Sequence, residues 1–252
     1  MNCRLPFCCR GFLLMVLCGG LSLLASAETA APAPSTYAPA KELAGQIAAF
    51  IKQMESELSS EGDYGDEQKD RVIKDANTLI VLAQVMAHHD EDHLLRKAAA
   101  PLMSSATKLA DAAEEYAAAK AALAEVKQAL ASSAGGDVSW EPAADLAQLM
   151  KQVPIINNRL RAGVTGKRFD RTLEQNIGYA TTLAAIAQTS MYDTAYCASK
   201  EEESTWARIC ADMRTAAAEI QAAVRKKDQA GARTGLEKMV KTCDACHLDF
   251  RD

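Results

Sequence analysis

The chain has 252 residues and is acidic, since 28 lysines and arginines stand against 33 aspartates and glutamates for a formal net charge of −5. No basic patch interrupts this balance, which excludes nucleic acid as a partner. Aromatic residues make up only 5% of the chain. Alanine is frequent and apolar residues recur three or four positions apart, so the sequence predicts an all-α fold.

The first 27 residues have the layout of a cleaved secretory signal. Arg4 and Arg10 precede an apolar run at 11–24, and the small residues ASA stand before Glu28. Cys18 is an alternative lipid-attachment site, but it follows a leucine rather than a small residue. Cleavage before Glu28 leaves 26 minus 33, a net charge of −7, and no later apolar stretch long enough to span a bilayer. We therefore expect an exported, periplasmic protein that is not an integral membrane protein.

Two breaks divide the rest of the chain. Residues 28–40 hold three prolines and no apolar periodicity, which predicts a disordered leader. The glycine-containing segment 134–141 predicts a linker, with Ser139 and Pro142 opening the next helix. The predicted domains are accordingly a helical block at 41–133 and a second block at 142–252.

The two blocks resemble each other. The sequence IKQ at 51–53 recurs as MKQ at 150–152, and DR at 70–71 recurs as DR at 170–171, an offset of about one hundred residues. Self-similarity at a constant offset indicates a duplicated unit, although two alanine-rich helical blocks can also resemble each other by composition alone.

The second block predicts four amphipathic helices, which a four-helix bundle buries most simply. Its last helix is predicted to begin at the N-cap Asp228 and to carry Cys243, His247 and Phe250 on one face. The same interpretation of the first block makes the fold two tandem bundles.

Cys243, Cys246 and His247 form the C-x-x-C-H pattern of covalent c-type haem attachment. The two thiols reach two vinyl groups of one porphyrin, and the histidine lies beneath the iron. The alternatives are a redox dithiol, which is usually found at a helix N-terminus, and half of a zinc site. Zinc needs two further ligands, and the second block offers only Cys197 and Cys210.

The sequence CDACHLDFR at 243–251 resembles the class II c-type cytochromes, the cytochrome c′ family, over residues 142–252. The resemblance implies a four-helix bundle with one covalent haem c, His247 as the axial iron ligand, and a possible homodimer. Some relatives place a methionine on the first helix as sixth iron ligand, which Met150 matches, while others leave that position vacant. Met150 is otherwise a core residue. Leu146 stands where relatives often carry an arginine for a haem propionate.

The first block lacks the corresponding chemistry. Ile51 takes the place of Met150, and the residues opposite Cys243 and Cys246 are alanine, leucine or serine. We therefore predict a degenerate bundle without haem. Its one cluster of potential ligands favours a solvated helix end over a copper or zinc site; the members are His88, His89, Asp90, Asp92 and His93.

Cys197 and Cys210 are the other two thiols of the expected mature chain. Export places them in an oxidising compartment, which predicts a disulfide between them. Two buried free thiols are the alternative.

The leading functional prediction is a carrier that cycles Fe(III) and Fe(II) with periplasmic redox partner proteins. The second block shows no polar group suited to distal acid or base catalysis, so the chain is predicted not to be an enzyme. The alternative is a protein that binds nitric oxide or carbon monoxide at an open distal site. An interaction protein, whose first bundle recruits the partner, is compatible with both.

Overall fold

The computed structural model describes residues 31–251, so the predicted signal peptide at 1–27 lies outside the described residues. Within 31–251 there are eight α-helices, three short 3-10 turns and no strand, which confirms the all-α prediction. The helices are α1 (Ala40–Glu57), α2 (Asp66–Ala87), α3 (Leu95–Ala112), α4 (Tyr116–Ala129), α5 (Leu146–Thr165), α6 (Leu173–Ser190), α7 (Lys200–Arg225) and α8 (Gln229–Phe250).

Side-chain caps start three helices of the second block. Asp145 accepts a hydrogen bond from the Ala147 N–H at 2.8 Å at the start of α5, and Asp228 accepts one from the Gly231 N–H at 2.9 Å at the start of α8. Ser199 caps α7 in the same way. The predicted N-cap Asp228 is confirmed. The predicted start at Pro142 is wrong, because the Asp145 carboxylate satisfies free backbone donors of the first turn and so sets the start of α5.

The helices form two consecutive sets of four, α1–α4 and α5–α8, which pack into one compact unit from Pro32 onward. The sets meet reciprocally, since α1 packs on α6, α2 packs on α5, and α2 packs on α6. The two central helices are buried on every side, at 74–86 of α2 and 180–190 of α6. A helix with no solvent face must be apolar or internally bonded all round, and here threonine hydroxyls bond back to helix carbonyls.

The predicted linker is a fixed part of the contact between the two sets. The Gln84 side chain of α2 donates hydrogen bonds to the carbonyls of Ser139 at 2.9 Å and Glu141 at 2.8 Å. The Trp140 ring stacks on His88 with centroids 3.9 Å apart and on Tyr192 with centroids 5.5 Å apart. Since His88 follows α2 and Tyr192 follows α6, this stack joins the ends of the two central helices.

The prediction of a disordered leader is wrong for residues 34–40. Tyr37 is only 3% exposed, and its carbonyl accepts a hydrogen bond from the Gln221 side chain of α7 at 2.6 Å. The Arg214 guanidinium lies over the Tyr37 ring, 5.4 Å from its centroid. On the other side, the Ser35 hydroxyl donates to Asp90, which follows α2. Residues 34–40 therefore form a strap that contacts both sets of helices. The proline content of this segment does not reveal these contacts.

We expect the Tyr37→Ala variant to lose about 3 kcal/mol of unfolding free energy, the typical cost of emptying a buried aromatic site. Tyr37→Phe is the matched control, because the hydroxyl is buried without a partner among the described residues and its removal leaves no bond unmade. Urea unfolding followed by far-UV circular dichroism measures both. A loss in Tyr37→Ala no larger than in a Leu94→Ala variant, at a side chain 92% exposed, would contradict the strap.

The histidine cluster after α2 serves the fold. His89 is 1% exposed, its Nε2 lies 3.0 Å from the Ala38 carbonyl, and its Nδ1 accepts from the Glu91 N–H at 3.0 Å. Both ring nitrogens are therefore engaged in holding the strap and the following loop. Across residues 31–251 no group of three or more potential ligands is arranged for a metal ion. The prediction of a solvated helix end is therefore wrong for His89, because packing against the strap buries it.

One acidic side chain is buried between the two sets of helices. Asp75 of α2 is 1% exposed and accepts a hydrogen bond at 2.8 Å from the Gln152 side chain of α5. Its second oxygen is buried without a partner among the described residues. Burial raises the pKa of Asp75 to about 7, against the smaller opposing effect of the Gln152 hydrogen bond.

Candidate haem site

The C-x-x-C-H residues lie on the last two turns of α8. Cys243, Cys246 and His247 are three and four positions apart, so they share one face of the helix. The helix is seated by a close approach to α7 at Gly235, where an added Cβ would lie 2.7 Å from the Ile220 side chain. Cys243 and Cys246 are partly buried and His247 is exposed, so the motif borders both the interior and the solvent.

Two adjoining cavities open beside this face. The outer one is a cleft of about 510 Å³, and the inner one is an apolar cavity of about 60 Å³ between α5, α6, α7 and α8. Both are lined by Met150, Pro154, Trp206, Cys246 and His247. Cys243 lines the inner cavity. The four residues predicted for the site, Cys243, Cys246, His247 and Met150, are thus brought to one place by packing of α5 on α8.

Met150 is positioned by the buried stripe of α5. Leu149 and Val153, its neighbours on that stripe, are 2% and 8% exposed in the core. Met150 itself is partly buried and lines both cavities. Its side chain packs against the core and also lines the two cavities that His247 lines.

Trp206 is a site residue that the sequence indicated only as core. It is 4% exposed, its indole N–H donates to the Ser190 carbonyl at 2.7 Å, and its ring meets Phe250 edge-on with centroids 5.2 Å apart. These contacts hold the Trp206 ring as a fixed aromatic surface in the lining of both cavities. The sequence indicated a role for Trp206 at the site only through its position, since the start of α7 lies beside the end of the antiparallel α8.

The thiols of the motif are poorly suited to the alternative chemistries. Burial raises the pKa of Cys243, with the Asp244 carboxylate adding to the effect, and burial raises the pKa of Cys246 to about 11. Redox dithiols and zinc ligands act as thiolates and are found where the pKa is depressed. The surroundings thus favour thiols over thiolates at this motif.

The disulfide predicted between Cys197 and Cys210 is not formed, because both residues are free thiols in the structure. Cys210 is 7% exposed and lines the inner cavity beside Cys243, while Cys197 lies in the partly exposed loop before α7. Burial raises the pKa of Cys210 to about 12. Cys210 faces the interior of the bundle. The positions of the cysteines along the chain do not show this orientation.

The residues around the cavities fit a haem c group. The cleft volume lies within the roughly 300–1,000 Å³ typical of cofactor sites, and its lining is mainly apolar and aromatic, as a flat macrocycle requires. No aspartate or glutamate is among the described residues that line either cavity, and Lys151 and Arg251 stand at the outer cleft. A group with an apolar ring and two peripheral carboxylates is complementary to this arrangement.

A helical bundle whose last helix presents C-x-x-C-H to an apolar cleft defines a c-type haem protein. Residues 147–251 match the family model described as Cytochrome C'. The match supports a class II, cytochrome c′-like protein that binds haem c covalently together with its iron. Searches of curated proteins and of solved structures gave no significant match. Of the helices described, none combines the length and apolar character needed to cross a membrane.

Proposed function

We propose that the protein is an exported, periplasmic carrier of single electrons. Cys243 and Cys246 would hold the haem through thioether bonds, His247 would ligate its iron from α8, and Met150 would supply a second protein ligand from α5. The bound group contributes a one-electron Fe(III)/Fe(II) couple, and His/Met ligation favours the higher end of the range of potentials.

The position of Met150 supports this proposal most directly. Met150 and His247 lie on different helices, yet they line the same two cavities, so both would border one haem bound there. The thioether is flexible enough to reach a metal from a partly buried position.

The remaining residues of the site protect and orient rather than react. Trp206 and Phe250, whose rings meet edge-on, line the outer cleft and would exclude water from a haem bound there. The described lining offers no carboxylate as a distal acid or base, so we propose that the chain transfers electrons without transforming a substrate of its own. The overall charge of −7 expected after export favours redox partners with a positive docking face.

We propose further that the first set of helices carries no haem. The helices that correspond to the haem-bearing end are short there, since α3 has 18 residues against 26 in α7, and α4 has 14 against 22 in α8. Each is thus eight residues, about two turns, shorter.

Cytochrome c′ proteins often form dimers. In this chain, α5 and α6 pack against α1 and α2, so that face of the second set is covered within one chain.

The test is the visible absorption spectrum of the purified holoprotein, oxidised and reduced, before and after carbon monoxide. We expect a low-spin spectrum that does not respond to the gas, and a Met150→Ala variant that becomes high-spin and binds it. Met191→Ala is the control, because Met191 is also partly buried but lines neither cavity.

A high-spin wild-type spectrum that shifts with carbon monoxide would contradict methionine ligation. The alternative function, binding of nitric oxide or carbon monoxide at an open distal site, would then replace the electron carrier. Export is tested separately by the N-terminal sequence of protein from the periplasmic fraction, which should begin at Glu28.

A further inference from the structure

The outer cleft holds two permanently charged side chains, Lys151 and Arg251, and both are cationic. Haem c carries two propionate carboxylates at one edge of the ring, and a carboxylate near an apolar cleft is stabilised by a cation within a few ångströms. The cleft therefore has charge of the sign that the carboxylate edge requires. The structure distinguishes the two cations by what surrounds them.

Lys151 is the cation with a defined second partner. Its Nζ lies 3.9 Å from Asp70 Oδ1 on α2, and the other Asp70 oxygen accepts a hydrogen bond from Lys74 Nζ at 2.7 Å. Lys74 is 8% exposed and Lys151 retains 55% of its side-chain exposure. Asp70 is thus held by a largely buried lysine on its own helix and reaches across to a lysine at the mouth of the cleft.

We propose that Lys151 pairs with a haem propionate and that Asp70, on the helix set without the haem motif, positions it. Lys151 follows Met150 directly in α5, and both line the outer cleft, so one turn of helix would carry both the proposed iron ligand and the cation that pairs with the carboxylate. The inference rests on the proposed haem site, and it gives the first set of helices a role in setting the reduction potential.

The two ends of this contact have opposite effects on the haem. Lys151 places a positive charge near the ring and stabilises the reduced state, which carries one more electron. Asp70 places a negative charge near the same point and restrains Lys151. Loss of the lysine should lower the reduction potential, and loss of the Asp70 charge should raise it.

The experiment is a spectroelectrochemical titration of full-length holoprotein carrying Lys151→Met, Asp70→Asn or both. We expect a lower midpoint potential for the first variant and a higher one for the second. The rise caused by Asp70→Asn should be larger in the Lys151→Met background, because in the wild type it is partly offset when Lys151 loses the carboxylate that positions it. Lys167→Met is the control, since it makes the same charge change in the exposed loop after α5.

Equal shifts in Lys151→Met and Lys167→Met would overturn the proposal, because they would reflect net charge alone. A shift in Arg251→Met with none in Lys151→Met would assign the pairing to the other cation and also overturn it. The visible spectrum recorded in the same cell separates this result from failure of the proposed function. A low-spin spectrum without a Lys151 effect rejects only the positioning role, whereas a protein without bound haem rejects both.

Discussion

The double variant Cys243→Ser, Cys246→Ser is expected to contain no covalently bound haem. Cys246 lines both cavities proposed to hold the haem, and Cys243 lines the inner one. A serine hydroxyl in place of either thiol does not form the thioether bond. The intact mass of the denatured protein should equal that of the polypeptide alone, whereas the wild-type mass should exceed it by one haem. Each single variant should retain one thioether at most, and His247→Ala should keep the covalent haem but lose its low-spin spectrum.

Cys210→Ser is the matched control for this loss. Cys210 lines the same inner cavity as Cys243 and is also a thiol of high pKa, but it lies outside the motif on α7. Its replacement should leave the mass increment of one haem unchanged. A Cys210→Ser protein that lost the haem, or a double variant that kept it, would show that attachment does not follow the C-x-x-C-H motif.

Replacement of Asp75 by asparagine should stabilise the protein at high pH. The pKa of Asp75 rises from 3.8 to about 7 in the folded state because the carboxyl is buried between α2 and α5. The unfolded chain releases this proton near pH 4, while the folded chain keeps it to about pH 7. Below pH 4 the carboxyl is protonated in both states and does not lower the unfolding free energy. Between about pH 4 and 7 the unfolding free energy falls, and above that range it is lower by about 4 kcal/mol.

The Asp75→Asn variant cannot ionise and still offers Gln152 an amide oxygen. We expect its unfolding free energy to match that of the wild type near pH 4 and to exceed it by up to about 4 kcal/mol at pH 8. Urea unfolding at a series of pH values measures this difference. Asp111→Asn supplies the control, because it makes the same substitution at an exposed position of α3. Parallel curves for wild type and Asp75→Asn would show that the carboxyl is ionised at no cost.

Local features of the fold followed from the sequence because each depends on residues a few positions apart. The three- and four-residue spacing of apolar side chains predicted the helices, and Asp228 was recognised as the N-cap of α8. The C-x-x-C-H motif is local as well, since one turn of helix holds both thiols and the histidine. Met150 required the cytochrome c′ resemblance in addition, because its partner lies on another helix.

Contacts between distant residues account for what the sequence did not reveal. The hydrogen bond between Gln221 and Tyr37 of the strap joins residues 184 positions apart, and the one between Gln152 and the buried Asp75 joins residues 77 positions apart. The prolines of the leader therefore predicted disorder, although α7 provides a buried site for Tyr37. The glycines before α5 predicted a free linker, although Trp140 stacks between two helix ends there. Cysteine content likewise predicted a disulfide where packing turns Cys210 into the haem cavity. Composition and periodicity determined which segments form helices and which helix carries the haem motif, because hydrogen bonding and side-chain spacing within a helix are local. The tertiary structure alone decided which side chains surround the cleft and which charges reach its mouth, because burial and electrostatic neighbours depend on how the helices pack.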